Sequence, residues 1–337
     1  MGGDHAPQAT VAGAAQAVKQ LAVSVLLVGD RSQLEAALRA SSCSPDLFEI
    51  VQAEGAIGMD EAPGPALLHK RNASIVVAMD LVKQGRASAV VSAGNSGAVM
   101  GAAVIRLGLL PGVDRPAIAM ILPSRRTPVV VLDCGATVDC RPQHLVDFAR
   151  MGSVYAQSLF QIERPCVGLL NIGREPQKGD SLTKQAYSLL QQAPIHFVGN
   201  IEGQHIAQGD VNVVVCDGFV GNAILKAVEG YAELFWSMAR ERLSAGWRHR
   251  LGAWLMRPAL RSIARDLDYA SYGGALLVGV KGICVIAHGR SNPPAIENAI
   301  RVAKELADRR VVEHLLSSFE ETLAPPVEAA AGQESET

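Results

Sequence analysis

"VNVVVCDGFVGNAILKAVEG" fills residues 211–230. Four of its first five residues are valine, three of them consecutive. A continuous run of that length predicts a strand buried on both faces. Asp217-Gly218-Phe219-Val220-Gly221-Asn222 then has turn composition, and a helical pattern starts near Ala223. A helix N-terminus carries free backbone N–H groups and the positive end of the helix dipole. Glycines there let an anion approach the backbone. Asn222 either caps the helix or donates its amide to a bound oxygen. An ordinary capped turn has the same composition, so this stretch alone does not choose.

Further runs of the same kind lie at 23–29, 87–94, 117–123, 128–135, 166–173, 195–203 and 279–289, separated by Ala- and Leu-rich helical stretches. That alternation predicts an α/β fold, a three-layer α/β/α sandwich with a mostly parallel sheet. Many runs end in Gly with Asn or Asp beside it. In open α/β sheets ligands bind beyond the carboxyl ends of the strands, so this punctuation marks the expected site.

The second such turn is Gly94-Asn95-Ser96-Gly97, in "VVSAGNSGAVMGAAV" (90–104). Neither turn matches the dinucleotide or P-loop fingerprints. Lys178-Gly179-Asp180 sits in a polar loop after a strand ending near Asn171 and Gly173. A lysine there can reach a phosphate or a developing oxyanion, or simply be solvated. "LDCGATVDCRPQHL" (132–145) offers Asp133 and Asp139 to cap, bind a metal or hold a loop, with capping the default. His5, in "GGDHAP", and His288 are candidates for hydrogen bonding to a ligand, or structural. No Ser or Cys carries a nucleophile motif.

Composition narrows the class. The 337 residues are 49% hydrophobic and 19% charged, with net charge −2, which gives no global case for nucleic acid binding. The six cysteines form no CxxC and no zinc-ligand spacing, so reduced thiols, a cytoplasmic location and no metal are expected, and the missing nucleotide fingerprints lead to no cofactor being expected. No signal peptide or membrane-spanning run is legible. Residues 231–268 lack a strand, hold all three tryptophans, and form a helical protrusion. From 240 to 265 there are seven arginines against one acid, Glu241. The reading is one domain over 1–322 that includes this insertion, then a disordered tail over 323–337.

The ordered set "MGGDHAP", "VSAGNSGAVM", "LDCGATVDCRPQHL", "MGSVYA", "VGLLNIGREPQKGD", "GNIEGQHIAQGDVNVVVCDGFVGN" and "YGGALLVGVKGICVIAHGRSN" resembles the bacterial phosphate acyltransferase (PlsX) family over most of residues 1–305. The resemblance implies a fold like that of phosphotransacetylases and isocitrate-type dehydrogenases. It implies transfer of a fatty acyl group from acyl carrier protein to inorganic phosphate, after which a membrane glycerol-3-phosphate acyltransferase takes the product. Together with the chemistry, it marks Lys178 and Asn222 as the catalytic pair. Gly94, Asn95, Ser96, Gly97, Gly218 and Gly221 would cradle phosphate or the thioester region. Asp139 and Asp217 would hold the loops, with His5 a further contact. A homodimer is implied, and residues 231–268 are open to three uses: dimer contact, carrier docking, or peripheral contact with the inner face of the membrane. The alternatives are a phosphotransacetylase acting on short acyl-CoA, a non-catalytic membrane scaffold, and a nucleotide-dependent dehydrogenase. Three departures stand out. The family resemblance implies a strand ending in Asp-Ala before "MGGDHAP", without which the sheet is incomplete. Ser96 stands for a frequent Thr, and Thr137 for an expected Asn.

Overall fold

The computed structural model describes residues 1–41, 43–267 and 273–323. Among the described residues ten strands form: β1 Leu26–Gly29, β2 Glu49–Gln52, β3 Ala89–Ser92, β4 Ala117–Leu122, β5 Val129–Leu132, β6 Cys166–Leu170, β7 His196–Ile201, β8 Val213–Val215, β9 Ala275–Val278 and β10 Ile283–Ile286. The helices are α1 Gln8–Leu21, α2 Arg31–Ala40, α3 Pro63–His69, α4 Ser74–Lys83, α5 Ser96–Arg106, α6 Pro142–Phe160 and α7 Ser181–Leu190. They continue with α8 Gln204–Gln208, α9 Gly218–Ser244, α10 Trp247–Leu255, α11 Arg257–Leu267, α12 Pro293–Asp308 and α13 Val311–Leu323. Each of the eight apolar runs contains a strand.

Eight strands make the central sheet in the order β3-β10-β9-β4-β5-β8-β6-β7. The valines of β5 show how it is buried. All four of its residues are buried, and they alternate between two cores. Val130 and Leu132 pack with α6, α7, α12 and α13, whereas Val129 and Val131 pack with α3, α4, α5 and the start of α9. This is the three-layer sandwich, with a two-residue period inside a run that is apolar throughout.

Strand direction adds what periodicity cannot supply. Five strand pairings are parallel and three, all around β4 and β9, are antiparallel. Consequently β5, β6, β7 and β8 run one way, and β3, β10 and β4 run the other. The two Gly-Asn turns, after β3 and after β8, leave strands of opposite direction.

β1 and β2 form a separate parallel pair. A cavity of about 550 Å³ lies between β1 and β3, lined by both strands and by Met1, Ser74 and Ile300. The Met1 ammonium donates to the Val28 carbonyl at its edge, 3.1 Å away.

The helical protrusion does not begin as a separate insertion at 231. It continues α9, which runs unbroken for 27 residues from the turn after β8. Trp247, Leu251, Trp254 and Leu255 of α10 are all more than half exposed. Among the described residues no helix is long and apolar enough to cross a membrane. The expected tail lies, past Leu323, outside the described residues.

Candidate active site

The turn after β8 is built by carboxylates. Asp217 is the N-cap of α9, and its Oδ1 accepts from the Phe219 and Val220 N–H groups at 3.0 and 2.9 Å. The Gly218 N–H donates to the Thr137 carbonyl, and that of Gly221 to the Asp217 carbonyl. The helix therefore starts five residues before Ala223, and its first-turn donors are all taken. The expectation of free N–H groups here is corrected, and Asn222 is not the cap. Gly218 and Gly221 also have another reason to be glycine. A Cβ on Gly221 would lie 1.9 Å from the Asp133 carbonyl oxygen, and one on Gly218 would lie 2.7 Å from Asp133 Oδ2. Both let α9 pack against the loop after β5, which is reason enough for glycine at each position. Asn222 is exposed beside Gly135, and its amide has no hydrogen-bond partner among the described residues.

Asp133 organises the facing loop. Its buried carboxylate accepts from the N–H groups of Ile118, Gly135, Ala136 and Thr137. Burial pushes its carboxyl up against those four donors, which pull it down. Asp139, expected to hold this loop, is exposed and makes no hydrogen bond among the described residues, so that task falls to Asp133. Thr137, at the position expected to be Asn, turns its hydroxyl inward to the Pro116 carbonyl.

The turn after β3 works differently. Asn95 caps α5 by accepting from the Ala98 N–H at 3.1 Å. Its Nδ2 donates to the carbonyls of Gly58, Met59 and Glu61. Asn95 is thus a clamp on the 58–61 loop, with its amide already occupied by these carbonyls. The N–H groups of Ser96 and Gly97 and the Ser96 hydroxyl have no partner among the described residues, so this helix end keeps its anion-binding donors. Gly94 packs against Gly2, whose added Cβ would lie 3.1 Å from its Cα. His5 is exposed one residue beyond Asp4, whose N–H donates to the Gly289 carbonyl.

Lys178 lies in the loop between β6 and α7. Its N–H donates to Glu175, its carbonyl accepts from Asn171 Nδ2 at 3.0 Å, and its side chain is exposed with no partner among the described residues. Gly179 follows at φ +97°, where a Cβ would lie 2.6 Å from Asn171 Oδ1, so only glycine fits. Asp180 caps α7, and its bond from the Thr183 N–H holds its carboxyl below the usual range. Because β6 and β8 pair in parallel, this loop and the Asn222 turn open at the same end of the sheet. No hydrogen bond joins Lys178 to Asn222 among the described residues.

One contact spans the two directions of strand. Lys226, one turn beyond Asn222 on α9, places Nζ 3.4 Å from His288 Nε2 in the loop after β10 and 2.8 Å from Glu229 Oε2. The adjacent Gly289 lies against Met59 and Asp4. A continuous rim thus runs from Gly135 through Asn222, Lys226, His288 and the 58–61 loop to Asn95. Lys226 was not singled out from sequence, although its spacing of four from Asn222 puts both on one helix face.

No thiolate is available along this rim. Burial and the nearby Asp133 charge push Cys140 up to about 12, and burial drives Cys216 well up. Nor does any cluster of His, Cys, Asp and Glu among the described residues have the grouping to hold a metal. The arrangement offers hydrogen-bond donors and cations, which suits positioning and charge stabilisation.

The family described as "Fatty acid synthesis protein" matches residues 1–314. The chain is 50% identical to a phosphate acyltransferase from Crocosphaera subtropica, covering 98% of this chain and 96% of that one. It is 49% identical to a phosphate acyltransferase from Pelotomaculum thermopropionicum, covering 95% and 93%. Its fold is similar to EutD phosphotransacetylase from Staphylococcus aureus (TM-score 0.55, 16% identity, 90% of each chain). It is also similar to a branched-chain phosphotransacylase from Enterococcus faecalis (TM-score 0.55, 15% identity, 91% and 96%). On the extent and identity of these matches, the chain is an acyltransferase and belongs to the phosphate acyltransferase family.

Proposed function

We propose that the chain transfers a long-chain fatty acyl group from acyl carrier protein to inorganic phosphate, giving an acyl phosphate for phospholipid synthesis. A phosphate oxygen attacks the thioester carbon, a tetrahedral oxyanion forms, and the carbon–sulfur bond breaks with the thiolate leaving. Phosphate is already anionic at neutral pH, and a thiol of pKa about 8.5 leaves readily, so no strong base is needed. The requirement is to desolvate phosphate, hold it about 3–3.5 Å from the carbon, and stabilise the oxyanion. Asn222 orients the reacting oxygens, Lys178 neutralises the developing charge, and the Ser96 and Gly97 N–H groups bind phosphate.

The observation carrying this reading is the Asn222 amide, without a partner among the described residues, on a rim of donors with no activated thiol. Asn222→Ala and Lys178→Ala are expected to fold normally. Each should lose about 10²–10³-fold in acyl-phosphate formation, assayed by hydroxylamine trapping. Wild-type turnover in both would overturn the assignment.

The similarity in fold to phosphotransacetylases favours a second reading, a short acyl-CoA donor. Palmitoyl-carrier protein should outcompete acetyl-CoA; the reverse preference would establish the second reading. The arm made by α9 to α11 bears on the choice. Its exposed Tyr231, Leu234, Phe235, Trp247 and Trp254 suit an acyl groove, a homodimer contact and the membrane interface. In this reading the enzyme is cytoplasmic and touches the inner membrane face, where the glycerol-3-phosphate acyltransferase takes its product. Arginines 248, 250 and 257 suit an acidic carrier protein. Glutamate at these three positions should weaken carrier binding or liposome sedimentation at low salt. No change in either assay would remove that role.

A further inference from the structure

We infer that Lys226 and His288 form a seat for a phosphoryl oxygen, distinct from the Lys178–Asn222 pair. The argument begins with the imidazole. His288 Nδ1 accepts the Arg290 N–H at 3.1 Å, so that nitrogen is unprotonated and, in the neutral ring, the proton sits on Nε2. Nε2–H then faces the Lys226 ammonium across 3.4 Å. Both groups are donors, and neither can accept from the other. An acceptor placed about 2.8 Å from each nitrogen, the ordinary charge-assisted distance, closes the triangle on that base.

The surroundings favour an anion there. Glu229 takes one ammonium proton at 2.8 Å and fixes Nζ beside the ring, leaving two protons to donate. Its side chain is only 12% exposed against 52% for Lys226, so the carboxylate anchors the lysine from below while the ammonium faces solvent. The Asn222 amide stands one turn away on the same face. A tetrahedral phosphoryl group has several oxygens for such neighbouring donors. Two sources carry that chemistry under the proposed function, on which this inference rests: the acceptor phosphate, and the phosphodiester of a phosphopantetheine arm on the donor.

Lys226→Met and His288→Leu lie on separate elements, so one folding failure leaves the other as the test. Phosphate binding is measured by calorimetry on the unmodified chain and on each folded variant, independently of turnover. If the seat holds the acceptor, both variants lose affinity for inorganic phosphate and raise its KM about tenfold or more, while Lys226→Arg retains most of both. If it holds the donor, phosphate binding is unchanged and the KM for acyl-carrier protein rises instead. The variants then match wild type on an acyl-pantetheine that lacks the phosphate. Unchanged phosphate affinity together with unchanged KM for both substrates overturns the seat. Wild-type enzyme that forms no acyl phosphate but binds phosphate through Lys226 overturns the proposed reaction and leaves the seat standing.

Discussion

The turns after β3 and after β8 read almost alike, each a strand end, glycines, an asparagine and a helix. The structure makes them opposites. At Asn95 the asparagine caps its helix and clamps a loop, while the backbone donors at Ser96 and Gly97 have no partner among the described residues. At Asn222 the backbone donors are taken by Asp217 and Thr137, while the asparagine amide stays free. The difference comes from one residue. An aspartate precedes the glycines in the second turn and supplies the cap, which releases the asparagine five residues later. Which atom satisfies the first-turn N–H groups decides whether a helix end or a side chain meets the ligand.

That contrast can be broken at several points. The largest effect is expected from Gly221→Ala, whose Cβ would collide with the Asp133 carbonyl. It should cost about 3 kcal/mol or more in urea unfolding, since backbone must move. Asn95→Ala removes a cap and three donated hydrogen bonds, so stability should fall by about 2 kcal/mol. Asn222→Ala should change stability by less than about 0.5 kcal/mol. If Asn95→Ala spares stability, or Asn222→Ala destabilises as much as Asn95→Ala, the two turns are not opposites.

A control lies on the other face of the sheet. Burial pushes Asp147 of α6 up to about 6, with Gln143 and Arg150 opposing. A raised carboxyl binds its proton more tightly in the native state, so stability falls as pH rises from about 4 through 6 and the penalty persists above. Asp147→Asn should therefore gain about 1 kcal/mol at pH 7.5, the lost contacts to Gln143 and Arg150 offsetting part of the relief, and nothing near pH 3.5. Acyl transfer should not change. A gain that grows toward low pH would reverse the sign and refute the assignment.

Much of the sheet was legible because continuous apolar runs of β-branched residues have few other uses. β2 was missed because Glu49–Gln52 is short with polar ends, and β9 because the four residues Ala275–Val278 lie between glycines that read as loop. Strand direction was not legible, since burial on both faces leaves no mark of polarity. The site residues were recognised as types, but their bonding was not. Asp139 and Asp133 are both aspartates of one loop, and only the buried one gathers four N–H groups. Lys226 reads as an ordinary helix-surface lysine, and its meaning depends on a histidine 62 residues away.

The unbroken course of α9 has a mechanical consequence. Its 27 residues make a rod about 40 Å long. The base carries Asn222 and is wedged against β5, while the far end leads into the tryptophan-bearing arm. Pivoted at the base, a tilt of five degrees would carry the tip roughly 3.5 Å on that length. Whatever grips the arm therefore holds the long end of a lever whose short end bears the free side chain of Asn222.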